Sequence, residues 1–131
     1  MRFWKIIFGL AAGFNFLVGL PLLLAPRAFY AAAGQPLPDD LMSVQTSALL
    51  ITVFGVGYAM AARDPVWARP VIWLGIMGKT PLPVLVWLNI LAGRATLNSL
   101  WITLVDLAFA ALFVLFLVRN PAPRPVPASQ S

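Results

Sequence analysis

Two charged side chains lie in stretches that are otherwise almost wholly apolar. Lys79 sits in Gly75-Ile76-Met77-Gly78-Lys79-Thr80-Pro81-Leu82-Pro83, and Asp106 in Leu104-Val105-Asp106-Leu107-Ala108. A lysine beside a carboxylate can form an ion pair, tune a proton transfer or stabilise an anion. Asn15, in Gly13-Phe14-Asn15-Phe16-Leu17, adds an amide in an equally apolar setting, and Thr52 and Thr103 add hydroxyls. These five are the candidate ligand-binding residues. Asp106 and Lys79 are the candidates for acid/base work, with no catalytic role assigned to either.

Other chemistry is excluded by composition. The chain has no cysteine and no histidine. Disulfides, thiol nucleophiles, Cys/His zinc sites, Ser-His catalysis and the usual haem ligands are therefore ruled out, and no metal or cofactor is expected. Gly9-Leu10-Ala11-Ala12-Gly13 and Gly55-Val56-Gly57 lie inside apolar runs and lack the strand-turn-helix setting of a phosphate loop.

The elements that position these residues follow from hydropathy. The 131 residues are 61% hydrophobic and 10% charged, with a mean hydropathy of +0.90. Soluble domains carry about a quarter charged residues, so the expected solvent is lipid. Four stretches reach the roughly 20 apolar residues that a spanning helix needs: residues 3–24, 43–62, 70–92 and 96–118. Arginine, proline or glycine bounds each of them. The expected fold is all-α, an integral membrane antiparallel four-helix bundle over residues 1–118. Residues 119–131 form a proline-rich cytoplasmic tail that cannot make a regular helix.

Charge sets the direction. With both termini inside, the cytoplasmic flanks carry Arg2, Lys5, Arg63, Arg69, Arg119 and Arg124, and the outer flanks Arg27 and Arg94. The positive-inside rule favours this orientation in a cell inner membrane, and topology accounts for the net charge of +5 without nucleic acid. Trp4, Trp67 and Trp73 fall near the inner interface, Trp87 and Trp101 near the outer one, with Tyr58 also interfacial. The first span is too long for a signal-peptide core, although Ala31-Ala32-Ala33 follows it, and is read as a retained anchor.

Orientation turns positions into depths. At about 1.5 Å per residue, Lys79 is about 14 Å from the inner face, Asp106 about 15 Å from the outer face and Asn15 about 18 Å from the inner one. In a hydrocarbon core of about 30 Å these depths nearly coincide. A lone charge there costs at least about 2.5–3.5 kcal/mol on insertion scales. Lys79 and Asp106 are therefore expected to pair, with Asn15 as a hydrogen-bond neighbour. Pro81 and Pro83 remove donors for the Met77 and Lys79 carbonyls and predict a kink there.

Packing faces are also legible. Gln45, Ala48, Thr52, Gly55, Ala59 and Ala62 share one face of the second span, either a packing seam or one wall of a narrow cavity. Ser99, Thr103, Ala110 and Phe113 share a face with Asp106. Gly9 and Gly13 have a spacing suited to close helix contact. In the first connection, Pro26 is expected to open a short helix over Arg27 to Ala33, ended by Gly34, and Asp39 or Asp40 to cap the second span.

Several of these segments resemble the small bacterial membrane proteins of the DoxX-like type. The likeness runs through Gly19-Leu20-Pro21-Leu22-Leu23-Leu24-Ala25-Pro26, Gly55-Val56-Gly57-Tyr58, Arg63-Asp64-Pro65, Gly75-Ile76-Met77-Gly78-Lys79 and Asp106-Leu107-Ala108-Phe109-Ala110, and covers about residues 10–118. The resemblance implies a four-helix bundle. The wider group includes accessory subunits of quinone-linked oxidoreductases, and the resemblance transfers no catalytic residue. The expected role is that of an accessory or interaction protein, with a membrane protein partner or a second copy, and a lipophilic ligand such as a quinone or isoprenoid. The alternatives are a membrane-embedded isomerase or cyclase using Asp106 as acid or base, and a small transporter.

Overall fold

The computed structural model describes residues 1–130, and those residues are helical with no strand. Six α-helices follow one another among the described residues: α1 (Arg2–Leu24), α2 (Pro26–Ala32), α3 (Leu41–Arg63), α4 (Arg69–Lys79), α5 (Pro81–Leu91) and α6 (Leu100–Arg119). A 3-10 turn, Leu97–Ser99, leads into α6. Four segments are long and apolar enough to cross a membrane: Arg2–Leu24, Leu41–Arg63, Arg69–Leu91 and Leu97–Arg119. The third of them joins α4 and α5. The chain divides into two compact units, Met1–Ile72 and Trp73–Ser131.

In the first unit, α1 and α3 pack closely and antiparallel. Towards one end, a side chain added at Gly9 would meet the Ala62 Cβ at 4.0 Å. Further along, the Asn15 amide donates to the Ile51 carbonyl at 3.0 Å. At the other end the Gln45 amide donates to the Leu23 carbonyl at 3.2 Å. Two glycines set the spacing. A Cβ at Gly19 would lie 2.5 Å from Thr52 Oγ1 and 3.0 Å from the Thr52 backbone nitrogen. A Cβ at Gly55 would lie 3.0–3.2 Å from the Phe16 ring and Asn15 Cβ. Each helix thus presents a glycine to a bulkier patch of the other, which lets the backbones approach.

The seam differs in detail from its expected course. Ala48 and Gly55 are buried as expected, but Ala59 is exposed, and Tyr58 and Ala61 are buried in its place. A regular helix advances by 3.6 residues, so a stripe of three-and-four steps drifts around it over several turns. Tyr58 is only 1% exposed, a packed residue of this face. The close approach on α1 is made by Gly19 and not by Gly13, which has nothing within 4 Å of an added Cβ.

Local chemistry explains the ends of the helices. Pro26 occupies the first turn of α2, where its missing N–H is no loss. Gly34, at φ 66°, closes α2 with the Gln35 N–H donating to the Tyr30 carbonyl at 2.9 Å. Gly93 does the same for α5 at φ 74°, with the Arg94 N–H on the Asn89 carbonyl at 2.8 Å. Asp40 is the cap of α3: its carboxylate accepts from the Ser43 N–H at 3.1 Å and from the Ser43 hydroxyl. Those bonds, the hydroxyl's first, hold the Asp40 carboxyl below the ordinary carboxylate range.

In the second unit, α5 and α6 run antiparallel, tied by side chains described below. The buried face of α6 comprises Thr103, Asp106, Ala110, Phe113, Phe116 and Leu117. Ser99, expected on that face, is half-buried. Residues 121–127 form no regular element, in keeping with their alternating prolines, whereas Arg119 still belongs to α6 and a 3-10 turn follows at Ala128–Gln130, so the tail is not irregular throughout.

Two outcomes follow. Gly19→Ala is expected to lower stability by about 1–3 kcal/mol, because the added methyl overlaps Thr52 and its backbone. Gly13→Ala meets open space and should leave stability unchanged or raise it by up to about 1 kcal/mol, from helix propensity. Unfolding of both variants in micelles would show the contrast, and equal effects would refute the Gly19 contact. The Asp40 cap gives a pH signature. Its folded-state pKa is depressed, so its contribution is full above the ordinary carboxylate value and is lost as pH falls through the lowered one. Protection of the Ser43 amide from hydrogen exchange, taken relative to its intrinsic rate at each pH, should fall on that acid side, and Asp40→Asn should remove that fall.

Candidate functional site: a buried lysine–aspartate pair

The site begins with the two prolines. Pro81 has no N–H for the Met77 carbonyl, and Pro83 none for the Lys79 carbonyl. Regular α-helix accordingly stops at Lys79 and resumes at Pro81, with Thr80 alone between. Thr80 keeps near-helical dihedrals (φ −82°, ψ −48°). Its N–H and its hydroxyl both donate to the Ile76 carbonyl, at 3.0 and 2.7 Å. The kink expected there thus falls at a one-residue gap between α4 and α5, across which Thr80 keeps its own bond to Ile76. It leaves Lys79 as the last residue of α4.

Lys79 Nζ donates to Asp106 Oδ1 at 2.6 Å. Both residues are 5% exposed. Lys79 is the eleventh of the 23 residues in Arg69–Leu91, and Asp106 the tenth of the 23 in Leu97–Arg119, so the pair sits near the middle of both apolar segments. The ring of Phe109, three residues after Asp106, has its centroid 5.6 Å from Nζ and adds a cation–π contact. Removing two ions from water costs several kcal/mol each, which only short, well-directed contact offsets.

A second tie joins the same helices. Trp87 Nε1 donates to Thr103 Oγ1 at 3.2 Å, and that hydroxyl donates to the Leu100 carbonyl at 2.7 Å. Thr103 is 1% exposed. Lys79, Pro83 and Trp87 recur at steps of four and share one face of the α4–α5 segment. On α6, Thr103 and Asp106 are three residues apart and share another. Pro83, fully buried, lies between the two ties in sequence.

Of the five candidate residues, Lys79, Asp106 and Thr103 belong to the second unit, with Lys79 and Asp106 in direct contact. Asn15 and Thr52 belong to the first. Asn15 is 6% exposed and its amide holds the Ile51 carbonyl. The Thr52 hydroxyl donates to the Ala48 carbonyl at 2.8 Å, within its own helix. Both bonds are those of a packing seam. Among the described residues, every buried side-chain nitrogen or oxygen has a hydrogen-bond partner. An open groove of about 340 Å³ is lined by Asp40, Met42, Ser43, Thr46 and Ser47 at the start of α3, and none of the five candidates lines it.

Sequence reasoning missed Trp87 and Phe109. Trp87 reads as an interfacial anchor by its distance from the span's end, and its helical register with Lys79 is the signal that was there to use. Phe109 is one turn from Asp106, close enough for the lysine that meets the carboxylate to meet the ring as well.

No family model, curated protein or solved structure matches the chain.

Breaking the pair on one side leaves the other charge buried alone. Lys79→Met or Asp106→Leu alone is expected to cost about 3–5 kcal/mol, and the double variant much less than the sum. A double-mutant cycle by unfolding in micelles reads this coupling. Additive losses would mean that the pair contributes no coupling.

Proposed function

We propose that this chain is a small inner-membrane accessory or interaction protein. Its four apolar segments form an antiparallel bundle with both termini in the cytoplasm, and the Lys79–Asp106 pair locks that bundle and does no chemistry. The observation that carries this reading is the closure of the pair: two ions at 2.6 Å, each 5% exposed, with a ring against the cation. A catalytic acid or base must reach the proton it moves, and a proton carrier needs a path to water. An enclosed pair with its cation held by both carboxylate and ring offers neither.

The lysine and arginine distribution supports the topology. The likeness to DoxX-like proteins, among them accessory subunits of quinone-linked oxidoreductases, supports the accessory role. The partner is a membrane protein or a second copy. The small molecule that suits the site is lipophilic, of the quinone or isoprenoid class, meeting α5 beside Trp87. That ring is 37% exposed while its N–H is engaged with Thr103.

One feature favours a second reading. The helix break sets Lys79 at a chain interruption in mid-segment, the arrangement from which membrane proteins often build binding sites. In that case Asp106 would act as acid or base on an apolar substrate, and Lys79 would stabilise an anion.

Asp106→Asn separates the two readings. For the accessory role, blue-native electrophoresis of membranes should show the chain in an assembly larger than itself, weakened in the variant in proportion to its lost stability. Purified protein that turns over a lipid substrate, with activity abolished in a folded Asp106→Asn variant, would overturn the proposal.

A further inference from the structure

The two charges of the buried pair sit in segments that tolerate a charge unequally. The fourth apolar segment, Leu97–Arg119, is rich in leucine, phenylalanine and valine, and Asp106 is the one charge between Leu100 and Val118. The Thr103 hydroxyl in that run is satisfied within its own segment, on the Leu100 carbonyl at 2.7 Å. The third segment, Arg69–Leu91, carries Pro70, Gly75, Gly78, Pro81 and Pro83 besides Lys79. Pro81 and Pro83 leave the Met77 and Lys79 carbonyls without their usual helical donors, within two residues of the lysine. In hydrocarbon each polar group without a partner adds a penalty of its own. Leucine, phenylalanine and valine favour insertion, and one central charge opposes it by several times as much. The fourth segment has the apolar excess to carry a lone aspartate, and the third lacks it for a lone lysine.

What the third segment lacks, the fourth supplies. Lys79 Nζ meets the Asp106 carboxylate at 2.6 Å and lies 5.6 Å from the centroid of the Phe109 ring. The Trp87 N–H on the Thr103 hydroxyl joins the same two segments a second time. The connection between them is short. α5 ends at Leu91, Gly93 turns the chain at φ 74°, and the 3-10 turn into α6 begins at Leu97, so residues 92–96 alone intervene. Antiparallel helices joined this closely form a helical hairpin, and each is the other's nearest partner as soon as both exist.

We infer that the third and fourth segments cross the membrane as one hairpin, and that Asp106 is the residue that lets the lysine-bearing third segment cross. The inference rests on the membrane topology proposed above and goes beyond the locking of a finished bundle. Locking needs both ions equally, because loss of either leaves the other buried alone. Crossing needs them unequally. Without Asp106 the third segment faces lipid with an unpaired ammonium and stays on the inner side. Without Lys79 the third segment crosses more readily than before, and the fourth carries its lone carboxylate on the strength of its apolar run. Removal of both charges leaves two segments that cross unaided.

The chain has no cysteine, so one introduced thiol reports its own side of the membrane. Ala95→Cys places it in the connection between the two segments, and Asp39→Cys places it in the exposed connection ahead of α3. In spheroplasts carrying the full chain, a membrane-impermeant maleimide labels thiols outside, and labelling after permeabilisation gives the total. The outside share at position 95 is expected to fall about fivefold or more in Asp106→Leu. It should stay unchanged in Lys79→Met and recover in the Lys79→Met/Asp106→Leu double variant. Normalising to the total removes any loss of chain by degradation. An outside share unaffected by Asp106→Leu, an equal fall in Lys79→Met, or no recovery in the double variant would each overturn the inference. The Asp39→Cys thiol should be labelled from outside in every variant. Failure of either thiol to label from outside in the otherwise native chain refutes the membrane topology itself, which keeps the two premises apart.

Discussion

A charge inside an apolar segment must find its counter-charge within the protein, and the second unit is arranged around that requirement. Lys79 and Asp106 lie near the middle of their segments, far from either end, so neither side chain escapes by extension. The pair fixes which face of α6 turns towards the α4–α5 segment and at what height. Once Asp106 is placed, Thr103 comes one turn away on the same face and receives the Trp87 N–H. Ala110, Phe113 and Phe116 continue that face and are buried. The proline break serves the same end. It ends α4 at Lys79, and Pro81 takes the first turn of α5.

The first unit is held differently. Its helices approach because Gly19 and Gly55 remove the side chains that would separate them, and Asn15 uses that proximity to reach the Ile51 carbonyl. Gly55 faces the Asn15 Cβ, so the glycine creates the space in which the amide bonds. A backbone carbonyl in a helix has a second lone pair to offer, and the amide takes it at no cost to the helix. Packing leads here and polarity follows, whereas in the second unit polarity leads.

The helices were legible because their limits are chemical. Apolar runs end at Arg63-Asp64-Pro65 or Arg119-Asn120-Pro121 whatever packs on them, so α3 begins and ends within two residues of the limits drawn from hydropathy and α6 ends within one, although α6 begins four residues later than expected, after a 3-10 turn. The Lys79–Asp106 contact was legible for a similar reason: an isolated charge has few acceptable places, and depth left one partner. Partners among uncharged residues were harder to read. Tyr58 and Trp87 are amphipathic, and their energy differs little between an interface and a core that satisfies the polar tip. Tyr58 is buried and Trp87 bonds Thr103 because of what stands opposite them, which no local pattern records. Gly9 and Gly13 have the spacing of a helix contact in sequence, yet Gly19 makes the close approach, because the partner helix decides which glycine it meets.

The closure of the pair carries one further consequence. In an acid–base site, the group that shifts a carboxyl's proton affinity and the group that consumes the proton are different, and a gap between them admits substrate. Here Lys79 lies directly against Asp106, and the Phe109 ring lies beside its ammonium. Exposing Asp106 to a substrate would require moving Lys79, whose backbone is anchored at the end of α4. That movement would bury an unpaired cation or carry the helix end with it. Both are expensive in an apolar surround. In the structural role proposed above, a pair this short secures the helices because separation raises the energy of both ions together.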